Sequence, residues 1–119
     1  MALMTIMLGE PPYGHERAYT ALRFAQAALD EGHAVNMFLF EDAVYLTRET
    51  LPSEMADEKH RDCRDLIVAI IARGAQVKAC GICARERDMD TDKLIAGTSI
   101  GAMQDLIGWV AEGEKVVSF

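Results

Sequence analysis

The chain has 119 residues, half of them apolar and 26% charged, which is the composition of a soluble globular protein. At this length a single domain over residues 1–119 is expected, with enough buried surface for a hydrophobic core. The formal charge of −7 argues against direct nucleic-acid binding, because contact with a phosphate backbone depends on clustered Lys and Arg.

The amino terminus and the cysteines indicate a cytoplasmic protein. The first residues are apolar only from Met1 to Leu8 and lack the basic segment and longer apolar stretch of a signal peptide. No stretch is long enough to span a membrane. The three cysteines are interpreted as reduced thiols, because an odd count fits poorly with a framework of structural disulfides.

Apolar runs and apolar periodicity predict alternating strands and helices. Short apolar runs predict buried strands at residues 3–8, 34–40, 75–80, 93–97 and 115–119, the fourth of them weak. Helical spacing of apolar residues predicts helices at residues 15–31, 58–73, 81–87 and 99–111. Gly32 and Gly74 are predicted to end the first two helices. The polar stretch 41–59, which contains Pro52, is predicted to be a long loop with one short helical turn.

This alternation predicts the fold class. Strands that are apolar along their whole length are typical of a parallel sheet covered on both sides. The prediction is an α/β protein, a three-layer sandwich with a mainly parallel five-stranded sheet and helices on both faces. Ligands and catalytic groups gather where the strands of such a sheet end. The segments at those ends are GEPPYGH, EDAVY, CGIC and GTS, so we expect them to share one rim of the sheet.

Cys80 and Cys83 lie three residues apart in the stretch VKACGICARER, and this spacing suits several kinds of site. A metal site is disfavoured, because structural zinc requires four ligands and the remaining cysteine, Cys63, falls on the apolar face of a predicted helix. No cofactor is predicted, since no glycine-rich nucleotide-binding motif follows a predicted strand.

A dithiol redox pair and a single nucleophile both remain open. C-x-x-C at a strand-to-helix junction is the arrangement of thioredoxin-like proteins, although the predicted element order differs from that fold. Cys80 alone would end a parallel strand where a helix begins, and free N–H groups there favour a thiolate. Arg85 and Arg87 could add positive potential, while Gly81 leaves backbone room for a sulfur adduct. Such a thiolate can attack a donor persulfide and hold the transferred sulfur.

Burial is the competing explanation for each cysteine, because cysteine is among the most buried residue types. For Cys63 it is the favoured interpretation, since the residue lies on the inner stripe of its predicted helix. Cys83, one turn into its helix, is interpreted first as structural and second as a resolving thiol.

Three stretches in order resemble the DsrE/DsrF/TusD-like sulfur-relay proteins: PPYGHERAYTALRFAQAALDEGHAVNMFLFEDAVY, VKACGICARER and DLIGWVAEGEKVVSF. The resemblance covers nearly the whole chain. It implies a small α/β domain that assembles into homotrimers or hexamers. It also implies that the strand-end cysteine carries persulfide sulfur between relay proteins, for tRNA thiolation or dissimilatory sulfur oxidation. Cys80 occupies that position, whereas no role for Cys83 is inherited.

Residues beside the predicted rim are candidates for a supporting role. Tyr13, Gly14 and His15 follow the first strand, and the Tyr13 hydroxyl or His15 could hydrogen-bond the sulfur. The Pro-Pro-Tyr-Gly sequence is more typical of a rigid turn that starts a helix, and that interpretation is favoured. Thr98 and Ser99 precede the last predicted helix, where they are N-cap candidates first and the floor of a small N–H-rich pocket second.

The leading hypothesis is a small cytoplasmic sulfur carrier that could act as a sulfurtransferase. Cys80 would accept persulfide sulfur from a donor protein and pass it to an acceptor protein. The alternatives are a C-x-x-C dithiol redox protein and a non-catalytic assembly subunit of a sulfur-metabolism complex.

Overall fold

The computed structural model describes residues 1–11, 16–50 and 58–119. Within those ranges strands and helices follow one another along the chain. Their order is β1 (Leu3–Leu8), α1 (Arg17–Asp30), β2 (Ala34–Leu39), a 3₁₀ helix (Glu41–Thr47), α2 (Glu58–Ala72), β3 (Gln76–Cys80), α3 (Gly81–Glu86), β4 (Thr98–Gly101), α4 (Met103–Glu112) and β5 (Lys115–Ser118).

The strands form one five-stranded sheet in the order β4-β3-β2-β1-β5. Every pair of neighbouring strands is parallel, so all five carboxyl ends lie on the same edge. At that edge Cys80 of β3 pairs with Gly101 of β4. The predicted α/β class, with a mainly parallel five-stranded sheet between helices, is confirmed.

One face of the sheet, which we call the closed face, is covered by α1 and α2. Alternate strand side chains such as Ile6, Met37 and Val77 point toward it and are almost fully buried. They pack with apolar residues of the two helices, which include Ala18, Ala21, Leu22, Ala25, Cys63, Ile67 and Ile70. This cluster is the main core of the protein.

The opposite face, which we call the α4 face, has a thinner layer. Phe38 on β2 packs with Leu106 and Trp109 of α4, and the Phe38 and Trp109 rings meet edge to face with centroids 6.3 Å apart. The outer side of α4 carries a line of exposed apolar side chains, which we call the α4 stripe: Met103, Ile107 and Val110.

The ends of α1 and α2 lie where the glycines predicted them. Gly32 and Gly74 have φ of 88° and 97°, a left-handed conformation that costs glycine little. In each turn a later amide donates back to the last helical turn, as from His33 to the Ala28 carbonyl at 3.0 Å. The predicted bounds of these helices are confirmed to within two residues.

The predicted fourth strand and last helix were placed wrongly. Residues 93–97 are not a strand, and within them Leu94 forms only an isolated antiparallel bridge with Arg48. Gly97, with φ of 95°, turns the chain into β4, and residues 99–101 of that strand fall within the helix predicted over residues 99–111. The last helix begins at Met103 rather than at residue 99. Thr98 and Ser99 resemble an N-cap in sequence but lie in an edge strand.

Candidate functional site

Cys80 is the last residue of β3 and the N-cap of α3. Its φ and ψ are −60° and 122°, so the chain leaves the strand and enters the helix at this residue. The backbone N–H of Cys83 donates to the Cys80 sulfur at 3.5 Å. Cys80 is only 6% exposed, so reagents reach its sulfur only through the adjoining cleft.

That cleft, which we call the Cys80 cleft, has a volume of about 650 Å³ and lies between α3 and the β4–α4 junction. It is lined by Cys80, Gly81, Ile82, Arg85, Ile100, Gly101, Ala102, Met103, Gln104 and Asp105. Ile82 and Met103 are more than half exposed at its edge, while Arg85 and Asp105 bring opposite charges. The cleft therefore offers an apolar entrance, charged groups and one thiol in its wall.

Cys83 lies on the first turn of α3, and its sulfur accepts a hydrogen bond from the backbone N–H of Glu41 at 3.1 Å. Burial raises the pKa of the Cys83 thiol, and contact with Cys80 adds to this, while the Glu41 N–H and Arg87 act in the opposite direction. The net direction is upward, so Cys83 remains protonated at neutral pH.

The acidic residues after β2 do not point their carboxylates at the thiols. Asp42 pairs with Arg87, with Oδ1 2.8 Å from Nε, and this pair raises the pKa of the guanidinium. Arg87 also donates from Nη1 to the Cys83 carbonyl at 3.1 Å. The ion pair therefore connects the 3₁₀ helix to α3 and supports the position of Cys83.

The predicted supporting residues are only partly brought together. Arg85 and Gly81 line the cleft with Cys80. Gly81 does not leave spare room as expected, because a Cβ there would lie 3.0 Å from Ile100 Cγ2. Its role is close packing of α3 on β4.

Two other predicted rim residues, Thr98 and Ser99, do not line the described cleft. Thr98 donates from Oγ1 to the Ile95 carbonyl at 2.6 Å, and Ser99 lies in β4 opposite Lys78, so neither forms a pocket floor at a helix start. Tyr13, Gly14 and His15 fall outside the described residues.

Sequence reasoning missed the contribution of the β4–α4 junction. Asp105 Oδ2 accepts the Ala102 N–H at 2.7 Å, and Oδ1 lies 3.6 Å from Lys78 Nζ. The Ala102 N–H chiefly, with help from Lys78, holds the pKa of Asp105 below its usual value. Asp105, four residues after the end of β4, was the available signal, and it was hidden because the predicted helix starts at residue 99.

Cys63 takes no part in this cleft. It is fully buried in the closed-face core, among residues of α1 and α2. This agrees with its interpretation as a packing residue.

Among residues 1–11, 16–50 and 58–119, no group of three or more His, Cys, Asp or Glu side chains is placed to hold a metal ion. No helix in the same part of the chain is long and apolar enough to cross a membrane.

Comparison with known proteins gives this arrangement its context. The sequence model of the DsrE/DsrF-like family matches residues 2–119. The chain belongs to the DsrE/DsrF-like family. Protein MJ0989 of Methanocaldococcus jannaschii is 44% identical to this chain over 116 residues. The match covers 97% of this chain and 97% of that protein.

A solved structure and a protein named as a sulfurtransferase extend the comparison. The crystal structure of YchN from Escherichia coli matches with a TM-score of 0.83 and 28% identity, and the match covers 100% of both chains. A protein named sulfurtransferase TusD, from Salmonella arizonae, is 41% identical over 54 residues, which are 44% of this chain and 41% of TusD. The DsrE/DsrF-like fold and the family resemblance to sulfur-relay proteins are therefore confirmed.

Proposed function

We propose that this protein accepts persulfide sulfur on Cys80 and passes it to an acceptor protein. In the first step the Cys80 thiolate attacks the outer sulfur of a donor persulfide, R–S–SH. A new S–S bond forms on Cys80, the donor's S–S bond breaks, and the donor leaves as the thiolate R–S⁻. In the second step an acceptor thiolate attacks the outer sulfur of the Cys80 persulfide and regenerates the Cys80 thiolate.

The observation that carries this proposal is the position of Cys80 at the cleft. Cys80 ends a buried strand and lies in the wall of a space of about 650 Å³. The Cys83 N–H donates to its sulfur at 3.5 Å, which helps to hold the sulfur in place beside the cleft. A cleft of this volume has room for an extended persulfide side chain.

The family comparison supports the same chemistry. The matching segment of TusD belongs to a protein named as a sulfurtransferase, and the family model extends over residues 2–119. The donor and acceptor in this proposal are proteins, and the site of action is the cytoplasm, where thiols are kept reduced.

We also propose that the active form is a homotrimer or hexamer. The α4 stripe supports assembly, because Met103, Ile107 and Val110 expose apolar surface that a partner subunit can cover. Sedimentation equilibrium is expected to give a multiple of the chain mass, and Ile107→Glu to lower it. A monomer at tens of micromolar concentration would contradict the assembly but not the sulfur chemistry.

Sulfur uptake tests the main proposal directly. The reduced protein is incubated with glutathione persulfide, desalted and digested, and its cysteine peptides are analysed by mass spectrometry. The peptide containing Cys80 is expected to gain one sulfur atom. Cys80→Ser is expected to abolish the gain, and Cys63→Ser, a change at a fully buried cysteine, serves as the control that keeps it. If Cys80→Ser takes up as much sulfur as the parent protein, the proposal fails.

A further inference from the structure

Two hydrogen bonds hold Cys83 in place, one to its sulfur and one to its backbone carbonyl. From one side the Glu41 N–H, at the start of the 3₁₀ helix, donates to it at 3.1 Å. Glu41 has φ of 51°, a left-handed conformation that a non-glycine residue adopts only when its surroundings hold it. From the other side Arg87 bonds both the Cys83 carbonyl and Asp42, which ties α3 to the 3₁₀ helix. Cys83 therefore has a hydrogen-bond donor for its sulfur and a fixed backbone.

Cys83 is also in contact with Cys80. The Cys83 backbone N–H donates to the Cys80 sulfur at 3.5 Å, and the neighbouring Cys80 contributes to the raised pKa of the Cys83 thiol. Because the two residues are the N-cap and the third residue of one helix, their Cα atoms lie within the range of roughly 4.4–6.8 Å that a disulfide bridges. A Cys80–Cys83 disulfide can form without moving α3 away from the sheet.

We propose that Cys83 is a resolving thiol that discharges the Cys80 persulfide as hydrogen sulfide. This inference rests on the proposed function, since it requires sulfur on Cys80. The Cys83 sulfur attacks the inner sulfur of Cys80–S–SH. An S–S bond forms between Cys80 and Cys83, the bond to the outer sulfur breaks, and the outer sulfur leaves as HS⁻, which takes up the proton lost by Cys83. The products are one disulfide and one molecule of hydrogen sulfide.

The disulfide is not the end of the cycle. Two electrons from an external dithiol, either a small molecule or a thioredoxin-like protein, return both cysteines to thiols. Each discharge thus consumes one dithiol and releases one sulfide, so no unaccounted oxidant or reductant is needed.

The environment of Cys83 sets the pace of this discharge. Burial raises the pKa of Cys83, so little thiolate is present at neutral pH, while the Glu41 N–H stabilises the thiolate when it forms. Relay to a bound acceptor protein and discharge by Cys83 compete for the same persulfide. Without an acceptor, discharge by Cys83 is the route that remains.

The test follows a loaded protein over time. Parent protein, Cys83→Ser and Cys63→Ser are each loaded with glutathione persulfide, desalted and left without an acceptor. Sulfide in solution is measured by methylene blue formation, and cysteine peptides by mass spectrometry. The parent and Cys63→Ser are expected to release one sulfide per lost persulfide and to form a Cys80–Cys83 disulfide peptide. Cys83→Ser is expected to keep its persulfide at least about tenfold longer and to release no sulfide, a change of about 1.4 kcal/mol in barrier.

The outcomes separate this inference from the function it rests on. A persulfide that loads on Cys80 but lives equally long in the parent and in Cys83→Ser, without a disulfide, overturns the role of Cys83 and leaves sulfur carriage intact. Absence of loading on Cys80 in both the parent and Cys83→Ser, with neither sulfide release nor a Cys80–Cys83 disulfide, overturns both. If Cys83→Ser fails to fold, the parent decides alone: sulfide release matched by the Cys80–Cys83 peptide supports the inference, and a persulfide stable until reductant is added refutes it.

Discussion

The two faces of the sheet are covered to different depths, and the thiols follow that difference. On the closed face two helices bury Cys63 completely among aliphatic residues of α1 and α2. On the α4 face α4 packs on the sheet with α3 and the 3₁₀ helix beside it, and the cleft beside Cys80 lies at the start of α4. Cysteine is therefore a buried core residue on the closed face, whereas at the edge of the α4 face it lines a cleft.

This comparison explains why the strand ends alone do not define the site. All five strands end at one edge, and in the described part of the chain the start of α3 and the start of α4 leave space beside Cys80 between β3 and β4. Parallel topology places the residues, and incomplete coverage on one side makes one of them reachable. The predictions that follow test how different the two sides are.

The largest expected effect comes from matched Ile→Ala changes on the two faces. Ile67 is 0% exposed on the closed face, so Ile67→Ala is expected to lower the free energy of unfolding by about 2–5 kcal/mol. Ile107 is 63% exposed on the α4 stripe, so Ile107→Ala is expected to change it by no more than about 0.5 kcal/mol in the dissociated protein. Urea unfolding at several protein concentrations measures both.

The concentration series also provides the control. If subunits cover the α4 stripe, Ile107→Ala weakens the dependence of stability on protein concentration, and Ile67→Ala leaves that dependence unchanged. Equal losses for the two variants at all concentrations would mean that the two faces are equally closed.

The next effect concerns glycines on the α4 face. A Cβ at Gly101 would lie 3.1 Å from both Lys78 Cδ and the Phe38 ring, so Gly101→Ala is expected to destabilise by about 1–3 kcal/mol. Gly108, inside α4, has nothing within 4 Å of a Cβ, and Gly108→Ala is expected to stabilise by about 0.5–1 kcal/mol. Thermal unfolding measures the stability of both variants. A Gly101→Ala protein as stable as the parent would show that Lys78 and Phe38 shift easily to accommodate the added Cβ.

The sequence predicted most of the scaffold because its apolar patterns are long and clearly ended. The run over residues 3–8 matches β1 residue for residue, and Gly32 and Gly74 mark real helix ends. The position of Cys80 at a strand-to-helix junction follows from the same patterns. These features depend on residues that are close together in sequence, so the sequence alone is enough to predict them.

The errors arose where tertiary contacts outweigh local pattern. β4 has two exposed residues and one buried, Gly101, because it is an edge strand, so its four residues show no apolar run. Residues 93–97 are more apolar, so the sequence pattern predicts the strand there instead. The hydrogen bond from Glu41 to Cys83 joins residues far apart in sequence, so no local sequence pattern predicts it.

A smaller effect is the pH dependence of Cys83 labelling. Because burial raises the pKa of this thiol above its ordinary value of 9.0, its thiolate fraction at any lower pH is below that of an unfolded cysteine. Iodoacetamide labelling of the Cys83 peptide is expected to rise about tenfold per pH unit up to a midpoint above that in urea-unfolded protein. A folded-state midpoint at or below the unfolded one would contradict the assigned environment.

The smallest expected effect is at Asp105, where α4 begins beside the cleft. Its carboxylate accepts the Ala102 N–H and lies near Lys78, and these contacts hold its pKa below 3.8. A group with a lowered folded pKa contributes stability above its unfolded pKa, and that contribution disappears as pH falls through the folded value. Asp105→Asn is therefore expected to be slightly less stable than the parent at neutral pH, and the difference should shrink at pH values below 3.8. Urea unfolding at a series of pH values measures it, with Asp92→Asn, at an exposed position before β4, as the control. A difference that stays constant down to the acid end would mean that the Asp105 charge does not stabilise the start of α4, and that the polar wall of the cleft depends on packing alone.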